Sequence, residues 1–244
     1  MQRFDAIDGL RGAAMVWMTA FHFSFDLANF GYTRQDFYLD PFWIWQRTAI
    51  VSLFLFCAGM GQGIAVAQGQ TWVRFWRRWR DIALCAALVT AGSYLMFPQS
   101  FIYFGVLHGI AVMLIILRLT IGCGRWMWLL GALAIAAALA GPLALVDHPS
   151  LAHALDGRWL NWLGIVTEKP ITEDYVPLLP WLGAMWWGAA AAQWLMRRPP
   201  RWLGWPLPEL ARPLAVLGRN SLIYYMLHQP VMIGLVLGYG WIMR

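Results

Sequence analysis

Residues 8–29 read DGLRGAAMVWMTAFHFSFDLAN, an apolar run interrupted by Asp8, Arg11, His22 and Asp26. A helix rises 1.5 Å per residue, so a run of about 20 apolar residues crosses a hydrocarbon core about 30 Å thick. An ionisable group at the centre of such a span costs roughly 2.5–3.5 kcal/mol. Because this stretch keeps four ionisable groups, we expect them to serve chemistry or transport inside a membrane bundle.

The composition indicates that the solvent of this chain is lipid. Of its 244 residues, 60% are hydrophobic and only 12% are charged, whereas ordinary soluble domains are about 25% charged. The 17 tryptophans fit aromatic belts at two membrane–water interfaces. The net charge of +6 does not indicate nucleic acid, because the basic residues cluster between apolar segments, where they set topology and attract anionic lipid.

Seven stretches are long enough to cross a bilayer, and they predict one all-α, polytopic transmembrane helical bundle that forms a single domain over residues 1–244. Backbone groups in lipid must bond internally, and runs of this length exceed barrel strands. The third stretch is the shortest, and no internal repeat is visible. The predicted spans lie near residues 8–29, 42–67, 81–97, 101–119, 126–146, 177–196 and 216–242.

The arginines predict the orientation of the bundle. Cytoplasmic loops carry an excess of Lys and Arg. The alternate connections that this rule places inside hold Arg74, Arg77, Arg78, Arg80, Arg118, Arg125, Arg197, Arg198, Arg201 and Arg212, and those it places outside hold Arg34, Arg158 and Lys169. The N-terminus is therefore predicted to be cytoplasmic and the C-terminus to lie outside.

Polar residues at similar depth predict a shared cavity in the outer half of the membrane. His22 and Asp26 are four residues apart and share one helix face, where a carboxylate can orient an imidazole and raise its basicity. Arg47 and His108 fall at comparable depths on the second and fourth spans, and His228, next to Gln229, lies near mid-membrane. Each histidine could instead be an interhelical hydrogen-bond donor, worth about 0.6–2 kcal/mol.

The first and last spans also carry charge at their cytoplasmic ends. Asp8 and Arg11 begin the first span, and Arg219 precedes the last. Helix N-termini and arginine forks favour phosphate oxygens, so these residues are candidate ligand-binding groups. The alternative is an interfacial ion pair that satisfies the positive-inside rule. The three cysteines lack the spacing of a metal site, and no metal is predicted.

Several blocks together resemble one family. They are RFDAIDGLRG (3–12), HFSFDL (22–27), FGVLHG (104–109), PLLPWLG (177–183) and GRNSLIY (218–224), followed by His228, Gln229 and Pro230. This set resembles bacterial membrane proteins related to heparan-α-glucosaminide N-acetyltransferase. The blocks cover almost the whole chain in the family's order.

The resemblance implies a transmembrane acetyltransferase of the bacterial inner membrane, with acetyl-CoA as donor substrate and a sugar or glycan across the membrane as acceptor. Arg11 and Arg219 would hold CoA phosphates, His22 with Asp26 would be base or acetyl carrier, and His108, Arg47 and His228 would position the reacting groups. The animal lysosomal enzyme has Asn where this chain has His22, and its catalytic histidine follows the first span. Residues 29–40 here contain no histidine, so either His22 takes that role or the mechanism differs.

Two other classes of function stay open at this point. Intramembrane His, Asp and Arg also build proton relays, so a small-molecule or proton-coupled transporter is the main alternative. The missing repeat counts against it, although a homo-oligomer could compensate. The third hypothesis is a non-catalytic accessory subunit, whose buried polar residues form hydrogen bonds between helices.

Overall fold

The computed structural model describes residues 2–242. It is 74% helix and has no strand in this range, which confirms the all-α prediction. The helices are α1 (Asp5–Asn29), α2 (Pro41–Ala67), α3 (Trp72–Met96), α4 (Val106–Thr120), α5 (Trp126–Ala144), α6 (Pro149–Asp156), α7 (Trp181–Arg197), α8 (Arg212–Arg219) and α9 (Ser221–Ile242).

Each of the seven predicted spans contains one long helix. Four segments of the described chain are long and apolar enough to cross a membrane: Pro41–Ala67, Val106–Cys123, Trp126–Ala144 and Ser221–Ile242. That α1, α3 and α7 also span stays a prediction, as does the orientation.

Three boundaries differ from the prediction. The third helix begins at Trp72, because the Thr71 side chain accepts a hydrogen bond from Arg74 N at 3.4 Å and caps it. The fourth begins at Val106, where Gly105 and His108 form its cap. The last predicted span is divided at Asn220 into α8 and α9.

The described chain packs as two compact units. The terminal unit comprises residues 2–54 and 200–242, and the central unit comprises residues 55–199. In the terminal unit, α1 lies against α8 and α9. Its core joins Met15 and Met18 of α1 to Ile50 of α2, with Phe54, Leu217, Tyr224 and Tyr225 packed around them.

The central unit is held by close helix packing. The second half of α2 meets α7 where a Cβ built on Gly59 would lie 2.0 Å from the carbonyl oxygen of Met185, and one on Gly188 would lie 2.0 Å from that of Phe56. Such small residues let backbones approach closely in membranes, where helix packing has no hydrophobic drive. In the same unit, α5 packs on α7, and α4 contacts α3 and α7.

Candidate active site

Two glycines bring α1 and α8 into backbone contact. A Cβ on Gly12 would lie 1.9 Å from the carbonyl oxygen of Leu214, and a Cβ on Gly218 would lie 1.8 Å from that of Asp8. Neither neighbour is a side chain that could turn aside. One helix crossing therefore explains Gly12 of the DGLRG motif and Gly218 of the GRNS motif.

This crossing gathers the charged residues predicted at the start of the first span. Asp8 is buried, and its Oδ1 accepts a hydrogen bond from Arg11 Nη1 at 3.2 Å. Arg11 also donates to the carbonyl oxygen of Gly218 at 3.3 Å. Arg219 forms an ion pair with Asp5, and its Nε lies 3.5 Å from Asp8 Oδ2.

The guanidinium groups of this cluster differ in exposure. The Arg11 side chain is 12% exposed, whereas those of Arg219 and Arg3 are 39% and 61% exposed. Arg11 is thus engaged inside the cluster. Arg219 and Arg3 are the cations that present accessible donors at this end of the terminal unit.

The ring of His228 is held with one defined proton position. Its Nδ1 lies 2.7 Å from the carbonyl oxygen of Tyr225, which can only accept, so Nδ1 carries the hydrogen. The neutral ring then has its lone pair on Nε2. This nitrogen is buried and has no hydrogen-bond partner among residues 2–242. A buried lone pair without a partner is unusual and is suited to accept a proton from a ligand.

The rings of Tyr224 and His22 pack against His228. The Thr19 hydroxyl donates to the carbonyl oxygen of Met15 at 2.8 Å, so the Tyr224 hydroxyl, 2.6 Å from Thr19 Oγ1, is the donor in that contact. The Tyr224 ring stacks on His228 at 5.9 Å between centroids. His22 meets His228 edge-on, with centroids 5.4 Å apart. The terminal unit therefore brings together two of the three predicted intramembrane histidines, His22 and His228.

Asp26 and Gln229 form the second polar pair. Gln229 Nε2 donates to both carboxylate oxygens of Asp26, at 2.9 and 3.1 Å. In the described chain the side-chain hydrogen bonds of Asp26 thus go to α9 and not to His22, although the spacing puts both on one face of α1. Asp26 is thus connected to the residue that follows His228.

Arg47 lies on α2, in the terminal unit, and is half-buried. No acidic partner contacts it in residues 2–242. The preceding residue, Gln46, accepts a hydrogen bond from Trp17 Nε1 of α1 at 2.5 Å, which fixes this part of α2 beside α1. A half-buried cation without a carboxylate is available to a ligand.

His108 belongs to the central unit, and both of its ring nitrogens are occupied. Thr90 donates to the carbonyl oxygen of Ile102 at 2.8 Å, so His108 Nε2 donates to Thr90 Oγ1 at 2.9 Å. Its Nδ1 accepts from Gly105 N at 3.3 Å. These bonds cap α4, and Asp174 adds to the cap by accepting from Val106 N at 2.8 Å.

Sequence reasoning did not assign roles to Thr19, Tyr224, Asp5 and Arg3. The helical spacing offered a signal for two of them, since Thr19 lies three residues before His22 and Tyr224 four before His228. No group of three His, Cys, Asp or Glu side chains that could hold a metal occurs among the residues described.

Fold and site together define an integral membrane protein with a histidine pair and a charged helix crossing in the same unit. A family model described as heparan-alpha-glucosaminide N-acetyltransferase, catalytic, matches residues 3–230. The chain belongs to that family, and membership implies transmembrane acetyltransferase activity. No curated protein and no solved structure gave a significant match.

Proposed function

We propose that this protein transfers an acetyl group from cytosolic acetyl-CoA to a sugar or glycan on the far side of a bacterial inner membrane. The observation that carries the proposal is the histidine pair, in which the buried His228 keeps a partnerless Nε2 and the half-buried His22 lies 5.4 Å away between ring centroids. A neutral imidazole can take the proton of the acceptor in acetyl transfer, and the free Nε2 of its neighbour can accept a hydrogen bond that orients that acceptor.

The step balances with groups that this pair supplies. The acceptor oxygen or nitrogen bonds to the acetyl carbon, the carbon–sulfur bond breaks, and CoA leaves as a thiolate. The acceptor proton passes to an imidazole nitrogen and from there to the thiolate. His22 acts as this base or as a transient acetyl carrier, while His228 orients the acceptor with its Nε2 lone pair.

Asp26 and Gln229 hold this pair in place. Their two hydrogen bonds connect α1 to α9 one turn from His22 and directly after His228. Arg47, half-buried and without a carboxylate partner in the described chain, is suited to bind the thioester oxygen as negative charge develops on it. Asp26 is a positioning residue in this scheme.

The donor binds at the charged crossing of α1 and α8. Arg219 presents its guanidinium to the CoA phosphates, and Asp8 and Arg11 fix the geometry from within. Arg11 and His22 are eleven residues apart on α1, about 16 Å at the helical rise. The extended arm of the donor would carry the thioester over that distance. The arginine bias among the loops supports a cytoplasmic position for this end.

His108 fits a structural role better than a catalytic one. Because both ring nitrogens are used in capping α4, neither is free for a substrate unless the cap opens. We assign it to the stability of the central unit.

The first test is CoA release by the purified protein from acetyl-CoA, with a mixed panel of amino sugars and glycans as acceptors. We expect His22→Ala and His228→Ala to lose about 10²–10⁴-fold in turnover. The matched control is His153→Ala, an exposed histidine in the last turn of α6, which should behave as the wild type. A folded His22→Ala protein with full turnover would overturn the assignment of the base.

Two further arms separate the parts of the proposal. Arg219→Gln should raise KM for acetyl-CoA but not for a short acetyl thioester of N-acetylcysteamine, which has no phosphate. Labelled acetyl that stays on the wild type without acceptor, but not on His22→Ala, would indicate the carrier route. Solute flux in proteoliposomes without any acyl donor would favour the transporter instead.

A further inference from the structure

One end of the central unit gathers positive charge. Eight arginines lie at the start of α3, at the end of α4, just before α5 and at the end of α7, and the only carboxylate among them is that of Asp81. The arginines are Arg74, Arg77, Arg78, Arg80, Arg118, Arg125, Arg197 and Arg198. The predicted outer connection of the same unit, residues 145–180 between α5 and α7, instead holds five carboxylates with Arg158 and Lys169.

Some of these arginines have internal partners and others do not. Arg118 donates to the carbonyl oxygen of Gln70 at 2.7 Å and stacks on Trp72 at 4.8 Å, and Arg80 pairs with Asp81. Arg197 and Arg198 are exposed, and neither has an acidic partner in the part of the chain that is described. Their charge is therefore available to an anion.

A pocket of about 370 Å³ lies among these helix ends. It is formed by Ala67 at the end of α2, by the turn that contains Gly122 and Gly124, and by Gln193 and Arg197 of α7. Gln193 Nε2 donates to the carbonyl oxygen of Ile121 at 2.8 Å and ties α7 to this turn. The pocket is shallow and open to the surface, and its volume suits a headgroup.

Exposed tryptophans place this end at the level of lipid headgroups. Trp72, Trp76, Trp126 and Trp194 are 45, 44, 57 and 71% exposed. Tryptophan in this setting marks the membrane–water interface. A phosphate that reaches the pocket at this depth is more readily part of a lipid than of a soluble molecule.

We propose that the pocket lined by Gly122, Gln193 and Arg197 is a specific site for the phosphate headgroup of an anionic phospholipid. Arg197 and Arg198 bind the phosphate, and the apolar helix ends accept the start of the acyl chains. The site belongs to the central unit, and its occupancy is independent of acetyl transfer.

The test measures lipid binding to the detergent-purified protein by native mass spectrometry. The probes are cardiolipin, phosphatidylcholine, inorganic phosphate and CoA. We expect one saturable cardiolipin site and no comparable phosphatidylcholine site. Arg197→Gln should weaken it about fivefold, and the Arg197→Gln/Arg198→Gln protein about 25-fold, from roughly 1 kcal/mol per arginine near anionic lipid.

A second variant separates a built pocket from diffuse charge. A Cβ on Gly122 meets nothing within 4 Å, so Gly122→Phe adds a ring at the pocket without removing charge. We expect it to abolish the saturable site. Gly92→Phe, equally unobstructed on α3, and Lys169→Gln in the outer connection are the controls.

Three results would overturn the proposal. The first is cardiolipin binding by Gly122→Phe as tight as that of the wild type, and the second is equal binding of phosphatidylcholine. The third is displacement of cardiolipin by inorganic phosphate or CoA, which would indicate that a soluble phosphate compound occupies the site. Thermal unfolding of each variant without added lipid shows whether lost binding reflects lost folding.

Discussion

Gly218→Ala tests whether the crossing of α1 and α8 depends on backbone contact. The added Cβ would lie 1.8 Å from the carbonyl oxygen of Asp8, and ordinary contact begins at 3.4 Å. The helices must therefore separate by about 1.6 Å, which breaks the 3.3 Å bond from Arg11 to the carbonyl oxygen of Gly218. Overpacking costs about 1–3 kcal/mol, and a hydrogen bond to a charged group contributes about 1.5–3 kcal/mol.

The helix propensity of alanine opposes this by only about 1 kcal/mol, so the clash should win. We expect a net loss of roughly 1.5–5 kcal/mol, or a Tm lower by roughly 3–20 °C. The assay is thermal unfolding in detergent, with Gly234→Ala of α9 as the control, since a Cβ there meets nothing within 4 Å. If Gly218→Ala unfolds no earlier than Gly234→Ala, the packing argument is wrong.

Three more predictions concern single side chains. Asp26→Ala leaves the Gln229 amide unpaired and should lower the free energy of unfolding by about 1–3 kcal/mol, measured by thermal unfolding. Asp26→Asn keeps an acceptor for that amide and should lose less, so equal losses in the two variants would contradict the role of the bond. His108→Ala removes the cap of α4 and should lower the free energy of unfolding by about 0.5–2 kcal/mol, with kcat per folded molecule unchanged. A large loss of kcat would instead indicate that His108 takes part in catalysis. Desolvation raises the pKa of Asp156, but hydrogen bonds from Thr167 and Glu168 outweigh it and hold that pKa below the usual 3.8. A lowered carboxyl pKa stabilises the predicted outer connection above pH 3.8, and this stabilisation is lost as the pH falls through the lowered value. The exchange protection of residues 156–168, after correction for the pH dependence of intrinsic amide exchange, should therefore fall over that range in the wild type and stay constant with pH in Asp156→Asn.

Hydropathy located the helices well because a membrane span must be long, apolar and internally hydrogen-bonded. It was less accurate at helix starts. The extension of α3 to Trp72 depends on the Thr71 cap, and the start of α4 on Gly105 and His108, which are local hydrogen bonds that hydropathy does not measure.

The partners of the site residues were harder to predict than their depths. Helical spacing placed His22 and Asp26 on one face, yet Asp26 bonds Gln229, 203 residues away in the chain. Depth alone grouped His108 with His22, while its ring nitrogens proved to be occupied by Thr90 and Gly105. Spacing states which side chains share a face but not which donor reaches which acceptor.

The sequence by itself determined the membrane class, the helix positions and the family, because these depend on composition, run length and ordered motifs. Only the tertiary structure decided the pairing of His22 with His228, the bond from Arg11 to the carbonyl oxygen of Gly218, the bonds from Gln229 to Asp26 and the pocket beside Arg197. Each of these depends on contacts between residues far apart in the chain. Such contacts require closely packed helices, which Gly12 and Gly218 allow between α1 and α8 in the terminal unit, and Gly59 and Gly188 allow between α2 and α7 in the central unit.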